Sequence, residues 1–183
     1  MPNSQQPGSA YFLVEEKDQT IRTTLAVLVD NEAGVLARVI GLFSGRGYNI
    51  ESLTVAEVDH LDHTSRITIV TSGTPAVIAQ IKAQLERLVP VHRVIDLTKD
   101  KPAIEREMAM VKVAGTGEKR VEAMRLAEVF RARAIDTTHA SFVFEVTGSP
   151  QKIDAFVDLM KPLGLVEVTR TGVVAISRGA EAM

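Results

Sequence analysis

Apolar positions in this chain switch between two periods, and the switching divides it into two halves of the same order. Residues 23–29 alternate threonine with apolar side chains and end in a valine-rich run, the pattern of a buried strand. Val35, Leu36, Val39, Ile40 and Phe43 then recur at three- and four-residue spacing, which predicts an amphipathic helix. Asn31 or Glu32 is placed to cap it, and the glycines of "SGRG" to stop it. Residues 48–58 read as a strand, "DHLDH" at 59–63 as a hairpin turn, and "SRITIVT" sets Ile67 and Ile69 on one face. A second helix starts near Pro75, carries Ile78, Ile81, Leu85 and Leu88 on one stripe and closes at Pro90 before the strand "VHRVIDL". The order is β-α-β-β-α-β, the size of one small domain.

After a polar linker at 98–104, "TKDKPAI", the pattern repeats. "REMAMVKVAG" reads as a strand and Val121 to Arg133 as a helix with Met124, Leu126, Ala127 and Phe130 on its apolar side. "IDTTHA" and "SFVFEVTG" are two further strands, Pro150 to Met160 a helix bearing Ile153, Phe156, Val157 and Met160, and "GLVEVTRTGVVAIS" completes the sheet. The fold class is therefore α+β: two sandwiches of one topology, sharing order rather than obvious sequence. The expected division is a polar tail at 1–22, a first domain at 23–98 and a second at 99–183. A short "YFLV" segment in the tail is apolar enough to pair or dock.

Composition narrows the functional classes. The 183 residues are 45% hydrophobic and 24% charged, a globular balance, but only 4% aromatic with no Trp, so aliphatic side chains must fill the cores. A formal net charge of -2 with no basic block gives no footprint for nucleic acid. The absence of Cys removes disulfides, thiolate metal sites and a cysteine nucleophile, and suits a reducing cytosol. No run approaches the roughly 20 apolar residues a membrane span needs, and the N-terminal segment lacks a signal-peptide pattern.

Several residue groups invite a chemical reading. Asp59, His60, Asp62 and His63 carry metal-ligand chemistry, but a solvated hairpin tip is the more economical reading. Gly115 and Gly117, followed by Lys119 and Arg120, lie between strand and helix like a phosphate cradle, yet lack a P-loop ending and a dinucleotide fingerprint. His92 and His139 read as isolated strand residues, and Ser52 and Ser141 have no evident base partner. The remaining candidate is the loop Asp30-Asn31-Glu32-Ala33-Gly34. It leads into a helix whose free N–H groups favour a carboxylate, with Asn31 offering both donor and acceptors. Asn49 in "GYNIESL" supplies a second amide. A cap and a turn would use the same residues.

"LVDNEAGVLARVIGLFSGRGYNIESLTV" resembles the first half of an ACT domain, a small-molecule-binding module that commonly senses amino acids. Together with "SRITIV", "EREMAMVKV", "VFRARAIDTT" and "GVVAISRG", it resembles the small, regulatory subunit of acetohydroxyacid synthase (acetolactate synthase), from about residue 23 to 179. That resemblance implies an N-terminal ACT domain, a ferredoxin-like C-terminal domain and homodimers whose ACT sheets join. It implies a non-catalytic, cytoplasmic chain with no cofactor of its own. The implied partner is a catalytic large subunit using thiamine diphosphate, Mg²⁺ and FAD to make acetolactate from pyruvate. The effector would be a branched-chain amino acid, usually valine, bound at the ACT dimer interface as feedback inhibitor of valine, leucine and isoleucine biosynthesis. By motif, Asn31, Ala33, Gly34, Val35 and Leu36 match one side of the ligand site, and Asn49 and Ile50 match the strand from the other copy. Ala33 stands where many ACT domains have proline, and Ala37 where some relatives have serine. A stand-alone amino-acid sensor acting on another partner is the rival reading.

Overall fold

The computed structural model describes residues 19–100 and 103–180. The first unit runs β1 (Ile21–Asp30), α1 (Val35–Ser44), β2 (Ser52–Asp59), β3 (Thr64–Gly73), α2 (Pro75–Leu85) and β4 (Val91–Asp96). Its antiparallel sheet has the order β2-β3-β1-β4. The second unit runs β5 (Ala103–Ala114), α3 (Glu118–Phe130), β6 (Arg133–Thr137), β7 (Ser141–Gly148), α4 (Pro150–Met160), a 3-10 turn, β8 (Leu165–Arg170) and β9 (Val174–Ser177). Its sheet order β6-β7-β5-β8 repeats the first, with β9 added on β5. Two βαββαβ sandwiches are present, as the periodicity predicts.

Alternation along the strands sends one face of each sheet under its helices. Leu25, Val27, Val29, Ile67 and Ile69 meet Val39, Phe43, Ile81 and Leu85 from α1 and α2 in the first core. Val111, Phe144 and Val146 meet Ile153, Phe156 and Met160 in the second. The second helix of each unit starts in the same way. Thr74 and Ser149 accept hydrogen bonds from Val77 N–H and Lys152 N–H, with a proline in each first turn.

Several boundaries depart from the sequence pattern. β2 begins at Ser52, so 48–51 is a connection rather than strand. The helix expected at Val121–Arg133 occupies Glu118–Phe130, because Arg131 turns left-handed (φ 55) and Arg133 already belongs to β6. The linker expected at 98–104 ends before Ala103, which is in β5. His139 lies in the bend between β6 and β7, whereas His92 lies within β4 as expected. "YFLV" falls outside the described residues.

The largest departure is β9. The terminal run breaks at Thr171–Gly172–Val173, and β9 pairs with the start of β5 instead of extending β8. It thereby covers the face of the first sheet that carries no helices. Ala175 packs on Ala26, Ile95 and Leu97 there. Val173 N–H donates to Ser52 Oγ (2.8 Å), and Thr54 Oγ1 donates to the Val173 carbonyl (2.9 Å). Gly172 has φ +85, and a Cβ there would stand 2.8 Å from Ser52 Oγ, so the turn approaches β2 more closely than a side chain permits. Beside this junction, buried Glu107 receives both Arg170 Nε (2.6 Å) and Nη2 (2.8 Å).

Candidate functional site

The loop after β1 is shaped by its backbone. Asn31 N–H donates to the His63 carbonyl (2.6 Å) and Asp30 N–H to that of Pro90 (2.9 Å), fixing the loop to the two neighbouring connections. The cap of α1 is Gly34, in the left-handed region (φ 88), and no side chain caps the first turn. Neither Asn31 nor Glu32 takes the role expected of it. A side-chain cap normally satisfies one of the orphan amides at a helix start. Here the helical ladder begins with Arg38 N–H on the Gly34 carbonyl (3.0 Å), leaving the amides of Leu36 and Ala37 ahead of it. A Cβ on Gly34 would meet nothing within 4 Å, so the space beside the helix cap is open.

The acidic groups nearby each have a side-chain partner. Asp30 Oδ1 meets His92 Nε2 at 2.6 Å, and Glu32 Oε1 accepts from Arg38 Nη1 at 3.2 Å. Both pairs are exposed and contribute little to stability. Their consequence is local: each carboxylate near the helix start has a hydrogen-bond partner of its own. These partners were not legible beforehand, since His92 is remote in sequence.

Of the seven residues singled out, Asn31, Ala33, Gly34, Leu36 and Asn49 are exposed, and Ile50 is half-buried against the first core. Val35 is 3% exposed and its side chain belongs to the core, so only its main chain can meet a ligand. Among the described residues, the side-chain amides of Asn31 and Asn49 have no hydrogen-bond partner. The Asn49 carbonyl accepts from Thr71 Oγ1 (2.6 Å), which places Asn49 level with the start of β1, where Thr23 pairs with Thr71. Asn31 lies beyond the other end of β1. At about 3.4 Å per strand residue the two sites are about 27 Å apart. One small ligand cannot touch both within a single chain.

The other candidates separate. The Asp59 carboxylate accepts from Leu61 N–H (2.8 Å) and Asp62 N–H (3.1 Å), and these bonds hold it below the usual carboxylate range, while His60 Nδ1 contacts Glu57 (2.8 Å). These are contacts of a hairpin tip. Gly117 caps α3 with φ 59, but Arg120 turns from that loop to stack over Phe142 (3.8 Å) and donate to the Thr138 carbonyl (2.9 Å). Ser52 is occupied by Val173 N–H and Ser141 contacts Thr138. Among the described residues no helix is long and apolar enough to cross a membrane.

Fold and site together define a paired βαββαβ protein of the ACT class, with an uncapped helix start at the end of its first sheet. Residues 25–93 match the AHAS small subunit-like ACT domain, and residues 106–179 match the family described as small subunit of acetolactate synthase. An Archaeoglobus fulgidus protein described as a probable acetolactate synthase small subunit is 46% identical, over 87% of this chain and 98% of its own. The Escherichia coli acetolactate synthase isozyme 3 small subunit is 47% identical, over 89% and 99%. The crystal structure of the acetolactate synthase small subunit from Thermotoga maritima superposes with a TM-score of 0.77 at 35% identity, over 88% and 99%. This chain belongs to the family of acetolactate synthase small subunits, regulatory subunits with an ACT domain.

Proposed function

We propose that this chain binds valine between two copies of its ACT domain, activates a catalytic large subunit and imposes feedback inhibition on branched-chain amino acid synthesis in the cytoplasm. The ACT domain would span 23–98 and the ferredoxin-like domain 99–183. The observation that carries the reading is the separation of Asn31/Gly34 from Asn49. Both ends present amides without partners among the described residues, and a ligand the size of valine joins them only across a two-fold interface. In such an isologous dimer each copy gives its loop to one site and its Asn49 to the other, making two equivalent sites.

The chemistry of each group fits an amino acid. The amides at the start of α1, aided by the helix dipole, receive the carboxylate. Asn31 and the second copy's Asn49 serve the polar groups at the α-carbon, and Leu36 and Ile50 face the aliphatic body. Valine then shifts the activity of the complex only by binding its active and inhibited states unequally. Thiamine diphosphate, Mg²⁺ and FAD belong to the catalytic partner in this reading, where they supply the carbon–carbon bond chemistry. This chain's residues take no chemical step.

The test is to co-express the chain with a thiamine-diphosphate-dependent large subunit, purify the complex and assay acetolactate formation with and without valine. Co-purification, higher activity and valine inhibition are expected. Failure of the chains to associate, or a complex indifferent to valine, would overturn the proposal.

A further inference from the structure

β2 is the edge strand of the first sheet and begins at Ser52, three residues after Asn49. Its side chains alternate: Leu53 packs on the first core, whereas Ser52 and Thr54 face the helix-free side and meet the chain entering β9. Ser52 Oγ accepts from Val173 N–H (2.8 Å) and Thr54 Oγ1 donates to the Val173 carbonyl (2.9 Å), so two side chains clasp both main-chain groups of one residue. Val173 is 3% exposed, and a main-chain group released there has little water to replace its partner. The stretch from Asn49 to Ser52 has little slack. Thr71 Oγ1 donates to the Asn49 carbonyl (2.6 Å), Glu51 N–H donates to the Val70 carbonyl (2.8 Å), and the Glu51 carboxylate meets both Ser72 Oγ and Arg22. Beyond the clasp, Gly172 links Val173 to β8 of the second sheet. A cleft of about 430 Å³ beside it separates Arg22 and Glu51 of the first unit from Asp154 and Arg170 of the second, which leaves the second unit room to tilt.

We propose that Ser52 and Thr54 are positioning residues through which the effector site sets the orientation of the second unit. The inference rests on the assignment of Asn49 and Ile50 to the valine site. A ligand on Asn49 orders the short anchored stretch that leads into β2, and Ser52 and Thr54 settle with it. They then hold Val173 more firmly. β9 carries the effect onward, because it pairs with the first residues of β5 in the second unit. The clasp needs no free surface, so a second copy joined along the β2 edge does not compete with it. Coupling of this kind is reciprocal: the factor by which valine disfavours opening of the clasp caps the factor by which loss of the clasp weakens valine.

Amide hydrogen exchange of the full chain, alongside calorimetric titration of valine, tests this. Saturating valine should slow exchange at Val173 by about fivefold or more, with less than about twofold change at Phe144 and Val146 in the second core. Thr54→Val keeps the shape and removes the hydroxyl. In that variant the slowing at Val173 should fall below about twofold, and valine should weaken by no more than the slowing factor of the parent. Thr54→Ser keeps the hydroxyl and should keep the slowing. In the complex with a catalytic subunit, Thr54→Val should lose at least half of the inhibition reached at saturating valine, and Thr54→Ser should retain it. Valine bound with exchange at Val173 unchanged would overturn the coupling alone. Equal slowing at Val173 and Val146 would do the same, as would Thr54→Val behaving like the parent or Thr54→Ser behaving like Thr54→Val. A chain that takes up no valine would overturn the valine reading and the coupling together.

Discussion

Replacing Gly34 with aspartate separates a ligand site from a helix turn, because the structure tells the two costs apart. The backbone there has φ +88, and nothing lies within 4 Å of a Cβ built on it. A side chain therefore meets no clash, and the cost is the left-handed conformation, about 1–2 kcal/mol, with aspartate among the better-tolerated residues. A carboxylate at this point stands over the amides of Leu36 and Ala37. Its repulsion of a ligand carboxylate about 4 Å away lies between about 1 kcal/mol at the dielectric of water and about 4 kcal/mol at an effective dielectric near 20. Valine affinity should fall by about fivefold to several hundredfold. Gly34→Ala carries the left-handed backbone cost without the charge and is the control. Calorimetric titration of valine, with thermal melts of all three proteins, reads both costs. A smaller melting loss for aspartate, which tolerates the left-handed backbone and can cap the free amides, with affinity falling at least fivefold further than for alanine, is the expected pattern. Equal valine affinity in Gly34→Asp and Gly34→Ala would refute the placement of the carboxylate.

Asn49→Ala should weaken valine by about tenfold to a hundredfold, the worth of a hydrogen bond to a charged group. Its exposed side chain has no partner among the described residues, so the melting temperature should hardly move; a lower melting temperature with unchanged affinity would make it a turn residue instead. Arg170→Met strands buried Glu107 and should cost about 2–4 kcal/mol in denaturant unfolding, the lower end applying because Arg170 is partly solvated, whereas adding Glu107→Gln recovers part of the loss. The Lys82 ammonium hydrogen-bonded to Asp100 holds that carboxyl below its ordinary 3.8. Its contribution is therefore present above the unfolded value and lost as pH falls through the lower folded one. Asp100→Asn should differ from the parent at neutral pH and converge with it below about pH 4 in acid unfolding, and a gap that widens on acidification would contradict the pairing.

Local pattern determined much of this molecule. The repeated βαββαβ order, the inward faces of β1 and β3 and the stripe Ile78, Ile81 and Leu85 all follow from side-chain period, because a strand or helix exposes its buried face at fixed intervals. The loop residues were found the same way, since a glycine between an apolar strand and an amphipathic helix marks a helix start. What the pattern left open depends on residues far apart in sequence. That Gly34, and not Asn31 or Glu32, caps α1 was decided by the bonds of Asn31 to His63 and Asp30 to Pro90, which fix where the chain enters the helix. Val35 carried the helical signal of a core residue and the motif of a site residue, and packing gave its side chain to the core. The run 165–177 read as one continuous strand because periodicity does not say which strand an element pairs with. Contacts such as Thr54 to Val173 and Arg66 to Ala175 broke it at Gly172 and laid β9 over the first sheet. The distance between Asn31 and Asn49 was likewise set by sheet order. Eighteen residues apart in the chain, they stand at opposite ends of β1, because α1 returns the chain across the sheet before β2 begins.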